Sequence, residues 1–108
     1  MKTSKVNQPG YVLRFKAKSG KGDELFKVCN DLHFTDDPDG PVTWVLTRSL
    51  EDPDILWAFE FYRDDASFER HYSNPELDEG HKRVIDLLAE GVEEWGIREH
   101  VRIFASSY

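Results

Sequence analysis

Five side chains in this sequence have the chemistry to act near neutral pH: His33, His71, His81, His100 and Cys29. Imidazole titrates in that range, so a positioned histidine can take a proton from a weak acid such as a phenol. His81 is the most informative of them. It shares a helical stripe with Leu77, Val84 and Leu88, so it should face inward. An inward histidine is either a core residue satisfied by one backbone partner or a base in a pocket. His71 stands on a shorter helix just before it, where it either reacts or braces the helix. Trp44, Trp57, Phe59 and Phe61 could line a slot for a planar molecule, or fill a core or a dimer interface. Tyr72 could hydrogen-bond a substrate oxygen or cap an apolar cluster. Arg14 and Glu60 sit on strands, each opposite its strand's main apolar set. They could pair across an interface, or Arg14 could steady a developing oxyanion.

Other chemistries lack their signatures. No phosphate loop, GxSxG element or dinucleotide fingerprint occurs. The histidines and Cys29 have no tight metal-ligand spacing. Neither a metal nor another cofactor is expected.

These side chains are carried by a simple run of elements. Residues 1–10 read as a loose leader and 11–108 as a single domain. Tyr11 to Lys18 alternates, with Tyr11, Leu13, Phe15 and Ala17 on one side, as in a half-buried strand. Asp23 and Glu24 suit the first turn of a helix whose stripe is Leu25, Val28, Cys29 and Leu32. Val42 to Leu50 and Ile55 to Tyr62 form a hairpin about Glu51-Asp52-Pro53-Asp54. The second of these strands is apolar on both faces. Asp64 or Asp65 can cap a short helix through His71 and Tyr72. Asn74-Pro75 then opens a long helix to Trp95, weakened by Gly80 and Gly91. Ile97 to Ala105 is the last strand, with Ile97, Val101, Ile103 and Ala105 inward and Arg98, His100 and Arg102 opposite.

The net charge of −7 and the absence of a Lys/Arg run argue against a nucleic-acid partner or an anionic membrane surface. No apolar run approaches the roughly 20 residues of a membrane helix. The N-terminal segment has no signal-peptide core, and one cysteine suits a reducing compartment, so a cytoplasmic location is expected.

A β-α-β-β-α-β order predicts an α+β, ferredoxin-like antiparallel sheet with helices on one face. The apolar opposite face predicts a homodimer, sheet against sheet. Three stretches carry a family resemblance: Arg14 through Leu25, Leu50 through Asp54 with Phe59 through Asp64, and Ala66 through Pro75. They resemble the opening strand and helix, the hairpin and the following helix of antibiotic biosynthesis monooxygenase (ABM) domains. The resemblance implies a dimeric α+β barrel with a pocket between sheet and helices. In some members that pocket oxidises quinols or polycyclic phenols with O2, without metal or flavin. It implies a small aromatic substrate here, with His81 and His71 as catalytic candidates and Arg14, Trp44, Trp57, Phe59 and Tyr72 as substrate contacts. His71 stands where ABM domains often carry a histidine. A non-catalytic small-molecule binding dimer remains the alternative. Heme-degrading monooxygenases share the fold, and His81 in Glu79-Gly80-His81-Lys82 resembles their heme ligand. Those enzymes also use an asparagine and a tryptophan where this chain has Leu13 and His71, which makes heme breakdown the lesser reading.

Overall fold

A computed structural model of the chain describes residues 5–33, 37–91 and 96–107. The elements are β1 (Pro9–Lys16), α1 (Gly22–His33), β2 (Thr43–Arg48), β3 (Ile55–Phe61), α2 (Asp65–Ser73), α3 (Asp78–Leu87) and β4 (Arg98–Arg102). They form one four-stranded sheet in the order β2-β3-β1-β4, with every neighbouring pair antiparallel. The expected α+β, ferredoxin-like arrangement is present.

The alternation in β1 and β3 sorts the side chains. Leu13, Phe15 and Ala17 from β1 and its end join Leu56 and Ala58 from β3 on one face. There they pack with Leu25 and Cys29 of α1 and with Val84 and Leu88 from α3 and its end. Burial of these apolar surfaces against the helices is the main source of stability.

Local chemistry sets the helix ends. The Asp54 carboxylate, in the β2–β3 hairpin, accepts hydrogen bonds from the Gly22 and Gly20 amides at 2.9 and 3.1 Å. A side-chain acceptor for the first turn of α1 thus comes from a distant part of the chain. Asp64 caps α2 by accepting from the Ser67 amide at 2.7 Å. Gly80 lets α3 approach α1, because a Cβ there would lie 2.4 Å from a Leu32 methyl.

Three sequence expectations change. β1 begins at Pro9, and Asn7 and Gln8 exchange backbone hydrogen bonds with Ile103, so residues 7–10 belong to the folded domain and not to a leader. The long helix is divided into a 3-10 turn at Pro75–Leu77, capped by Asn74, and α3, which stops at Leu87. Leu88 is extended and bridges to Ala17, so pairing with the end of β1 replaces further helical hydrogen bonding. Val92 and Trp95 lie outside the described residues. In β4 the assignment of faces reverses. The pairs Tyr11 with His100 and Leu13 with Arg98 place both β4 residues on the helix-bearing face. There His100 stacks on Phe68 of α2 at 4.6 Å, and Arg102 pairs with Asp65 at 2.8 Å.

The opposite face of the sheet carries Val12, Val45, Ile55, Trp57, Phe59 and Phe61, all partly or largely exposed. We propose that a second copy covers it, which predicts sedimentation at about twice 12.6 kDa; a monomer at micromolar concentration would refute this. Removing the tertiary cap with Asp54→Ala is expected to lower stability by about 1–2 kcal/mol in denaturant titration, with the fold retained.

Candidate active site

Between the sheet and the helices lies a cavity of about 460 Å³. Its apolar wall comes from β1, β3 and α3, with Leu13, Phe15, Ala58, Val84 and Leu88 prominent. Set into that wall are three histidines, His33, His71 and His81, together with Glu60, Tyr72 and Arg98. Ionisable groups gathered in an apolar cavity have their protonation set by their immediate partners.

His33 ends α1 and is locked at both nitrogens. Its Nδ1–H donates to the Cys29 carbonyl at 2.8 Å, one turn back along the helix. Since that carbonyl can only accept, Nε2 is the nitrogen that meets Glu60 Oε2, at 2.7 Å. The two side chains are 5% and 14% exposed. The Trp44 ring stacks on the imidazole at 4.4 Å. Burial opposes the charged imidazole, but the Glu60 hydrogen bond and charge and the Cys29 carbonyl outweigh it, so the His33 pKa is raised. Glu60 thus favours the charged form of His33.

His71, on α2, is held differently. Its Nδ1–H donates to Asp37 Oδ2 at 2.7 Å, and the two side chains are 12% and 10% exposed. Among the described residues Nε2 has no hydrogen-bond partner, and His71 lines the cavity. The other Asp37 oxygen accepts from the Asp39 amide at 2.9 Å. Asp39 in turn accepts from Arg70 at 2.8 Å and Ser67 at 3.2 Å, both on α2. The Arg70 hydrogen bond holds the Asp39 carboxyl below its usual pKa. This chain of contacts ties the turn before β2 to α2 and keeps Asp37 on His71.

His81 lies across from His71, with ring centroids 6.3 Å apart. Burial and the neighbouring His71 depress its pKa, so it is neutral near pH 7. Tyr72 adds to the polar side, with the wholly buried Tyr62 behind it. The Tyr62 hydroxyl stands 3.4 Å from both the Tyr72 hydroxyl and Glu60 Oε1. Burial, reinforced by the Glu60 charge, raises both phenol pKa values, so both tyrosines stay protonated and can donate. Burial pushes the Cys29 thiol up to about 12, which makes it a poor nucleophile. Among the described residues, no three His, Cys, Asp or Glu side chains are grouped to hold a metal ion. No helix among them is long and apolar enough to cross a membrane.

Of the residues singled out from sequence, His71, Tyr72 and His81 are brought together around the cavity. Trp44 stands behind His33 and not at the cavity wall. Arg14, Trp57 and Phe59 are on the far face of the sheet, because β1 and β3 pair Arg14 with Trp57 and Val12 with Phe59. They do not line this cavity. The suggested Arg14–Glu60 pair is also corrected, since Glu60 shares the helix-facing side with Ala58 and Tyr62. Sequence reasoning gave His33 no specific role and passed over Asp37 and the inward placement of Glu60. The only available signal was Glu60 among the small and aromatic residues Leu56, Ala58 and Tyr62 on one strand face.

The sequence model of the antibiotic biosynthesis monooxygenase family matches residues 10–83. No curated protein matches the chain. A protein from Chloroflexus aurantiacus assigned to the same family has a similar structure, with TM-score 0.75 and 18% identity, covering 94% of this chain and 97% of the other. A single-residue variant of SnoaB, a cofactor-independent oxygenase from Streptomyces nogalater, is similar at TM-score 0.69 and 20% identity, covering 94% and 96%. Rv0793 from Mycobacterium tuberculosis is similar at TM-score 0.73 and 19% identity, covering 93% and 98%. At these identities the likeness is one of fold.

Titration of the imidazoles by NMR is expected to place His33 above 6.5 and His81 below it. The stability that His33 contributes is complete below its ordinary value of 6.5 and is lost as pH rises through its higher folded-state value. Glu60→Gln should lower the His33 midpoint and shrink that pH dependence; an unchanged midpoint would show that Glu60 does not set it.

Proposed function

Because the chain belongs to the antibiotic biosynthesis monooxygenase family, we propose that its cavity oxidises a small phenol or quinol with O2, without a bound cofactor. The observation that carries this reading is the Asp37–His71 hydrogen bond at the edge of an apolar cavity, with His81 and Tyr72 beside it. The likeness to a cofactor-independent oxygenase supports it.

The chemistry asks little of the protein. His71 Nε2 accepts the phenol proton, while Asp37 fixes the tautomer and steadies the imidazolium that forms. The Tyr72 hydroxyl donates to the resulting phenolate oxygen, and the positive charge of Arg98 at the same cavity favours the anion. The phenolate is electron-rich at its ortho and para carbons; one of these that bears hydrogen bonds to O2 and, after proton uptake, carries a hydroperoxide. Loss of water then breaks the O–O bond and the C–H bond at that carbon and leaves a quinone carbonyl. One oxygen atom ends in the product and one in water, and the substrate supplies all the electrons. Loss of the C–H proton needs a second base, and the neutral His81 is placed for it.

The test is oxygen uptake over a panel of quinols and polycyclic phenols. Uptake above the uncatalysed rate is expected with at least one, together with formation of the quinone. His71→Gln should lower kcat about a hundred- to ten-thousandfold, and Asp37→Asn should lower it by less, with the fold intact by circular dichroism. Absence of uptake across the panel, or a full rate in His71→Gln, would refute the assignment.

A further inference from the structure

The proposed reaction uses one phenol proton and leaves the His33–Glu60 pair without a task. Its position is hard to explain by stability. Replacing a buried ion pair with apolar side chains of similar volume is commonly neutral or stabilising. Here the pair also faces a cavity whose remaining wall is mostly apolar. It is built with care: His33 is fixed by Cys29, backed by Trp44 and directed at one oxygen of Glu60. That leaves His33 no free nitrogen to act as a base. Glu60 differs, because a carboxylate offers about four acceptor positions. Among the described residues its hydrogen-bond partners are His33 and, at 3.4 Å, Tyr62. It therefore keeps acceptor capacity toward the cavity that it lines.

We propose that Glu60, held by His33, is a second subsite that accepts a hydrogen bond from a substrate hydroxyl other than the one His71 deprotonates, so that the cavity selects aromatic diols over simple phenols. This rests on the phenol-oxidising reading above and names the substrate feature that this reading leaves open. The placement suits it. Glu60, Tyr62 and Tyr72 form one line of polar groups, with hydroxyl contacts of 3.4 Å, and His71 packs on Tyr62 and Tyr72 at ring distances of 5.0 Å. A flat diol with its carbon skeleton on the Leu13, Ala58 and Val84 side presents both oxygens to that line. One oxygen meets a base and a donor, and the other meets an acceptor. A substrate lacking the second hydroxyl, or carrying it as an ether, displaces water from the remaining acceptor positions of Glu60 without replacing its hydrogen bond, and so binds less tightly.

Calorimetry under nitrogen reads binding apart from oxygen chemistry. The probes are dihydroxynaphthalenes in their para and ortho forms, the matching monomethyl ethers, and naphthol. Wild-type protein is expected to bind at least one diol about tenfold or more tightly than its ether and than naphthol. The double variant His33→Phe with Glu60→Leu removes both partners together, keeps a ring against Trp44 and strands no charge. It is expected to bind diol, ether and naphthol within about twofold of one another. If that variant does not fold, Glu60→Gln keeps the shape and must still reduce the preference, since it removes the charge from the hydrogen bond. An equal preference in wild type and variants overturns the subsite, as does no preference in wild type. If wild type shows no preference but still takes up oxygen with phenols, only the subsite fails. If wild type binds none of the probes, both readings fail.

Discussion

The antiparallel pairing of β1 with β3 at the centre of the sheet settles both of its faces together. Gly10 through Lys16 run against Phe61 through Ile55, so each residue's face follows from its place in that ladder. A shift of one residue would exchange the two faces throughout. With this register Leu13, Phe15 and Ala58 become the floor of a cavity, while Arg14, Trp57 and Phe59 are turned away from it. Every other element builds on that choice. α1 and α3 roof the apolar side, and the outer strands β2 and β4 bring Trp44 and Arg98 to the same side as Glu60.

Within the cavity three histidines of one chemical kind are put into three different situations. His33 gains a carboxylate and a carbonyl and is biased toward the charged form. His81 gains mainly burial and a neighbouring imidazole and is biased toward the neutral form. His71 gains an aspartate at one nitrogen, which fixes its tautomer, and among the described residues the other nitrogen has no hydrogen-bond partner. Distributing the groups in this way separates acceptor, donor and counter-charge. The tyrosines complete the set, because burial keeps their hydroxyl protons in place as donors.

The turn before β2 shows how such a site is held. Asp37 is useful only if it stays on His71, and it belongs to a segment with no secondary structure of its own. Asp39 binds Arg70 and Ser67, the Asp39 amide returns to Asp37, and Asp64 secures the first turn of α2. Each contact is modest, since exposed ion pairs contribute little alone. Together they join the turn and the helix at several points near His71.

Much of this was legible in the residues taken alone. Alternation marked the strands, the i, i+3, i+4 stripe through Leu77, Val84 and Leu88 placed His81 inward, and the turn and cap residues at Asp64 and Asn74-Pro75 marked the helix starts. Those signals are local, because periodicity and capping act within a few residues. The pairing partners were not legible. His33 meets Glu60 across 27 positions and His71 meets Asp37 across 34, and nothing in either neighbourhood encodes the other. Strand faces behaved likewise: β4 shows its apolar alternation plainly, yet its register against β1 turned Arg98 and His100 toward the helices. Periodicity says which side chains share a face. Which face meets the cavity, and which acid meets which histidine, is decided by register and packing between distant segments.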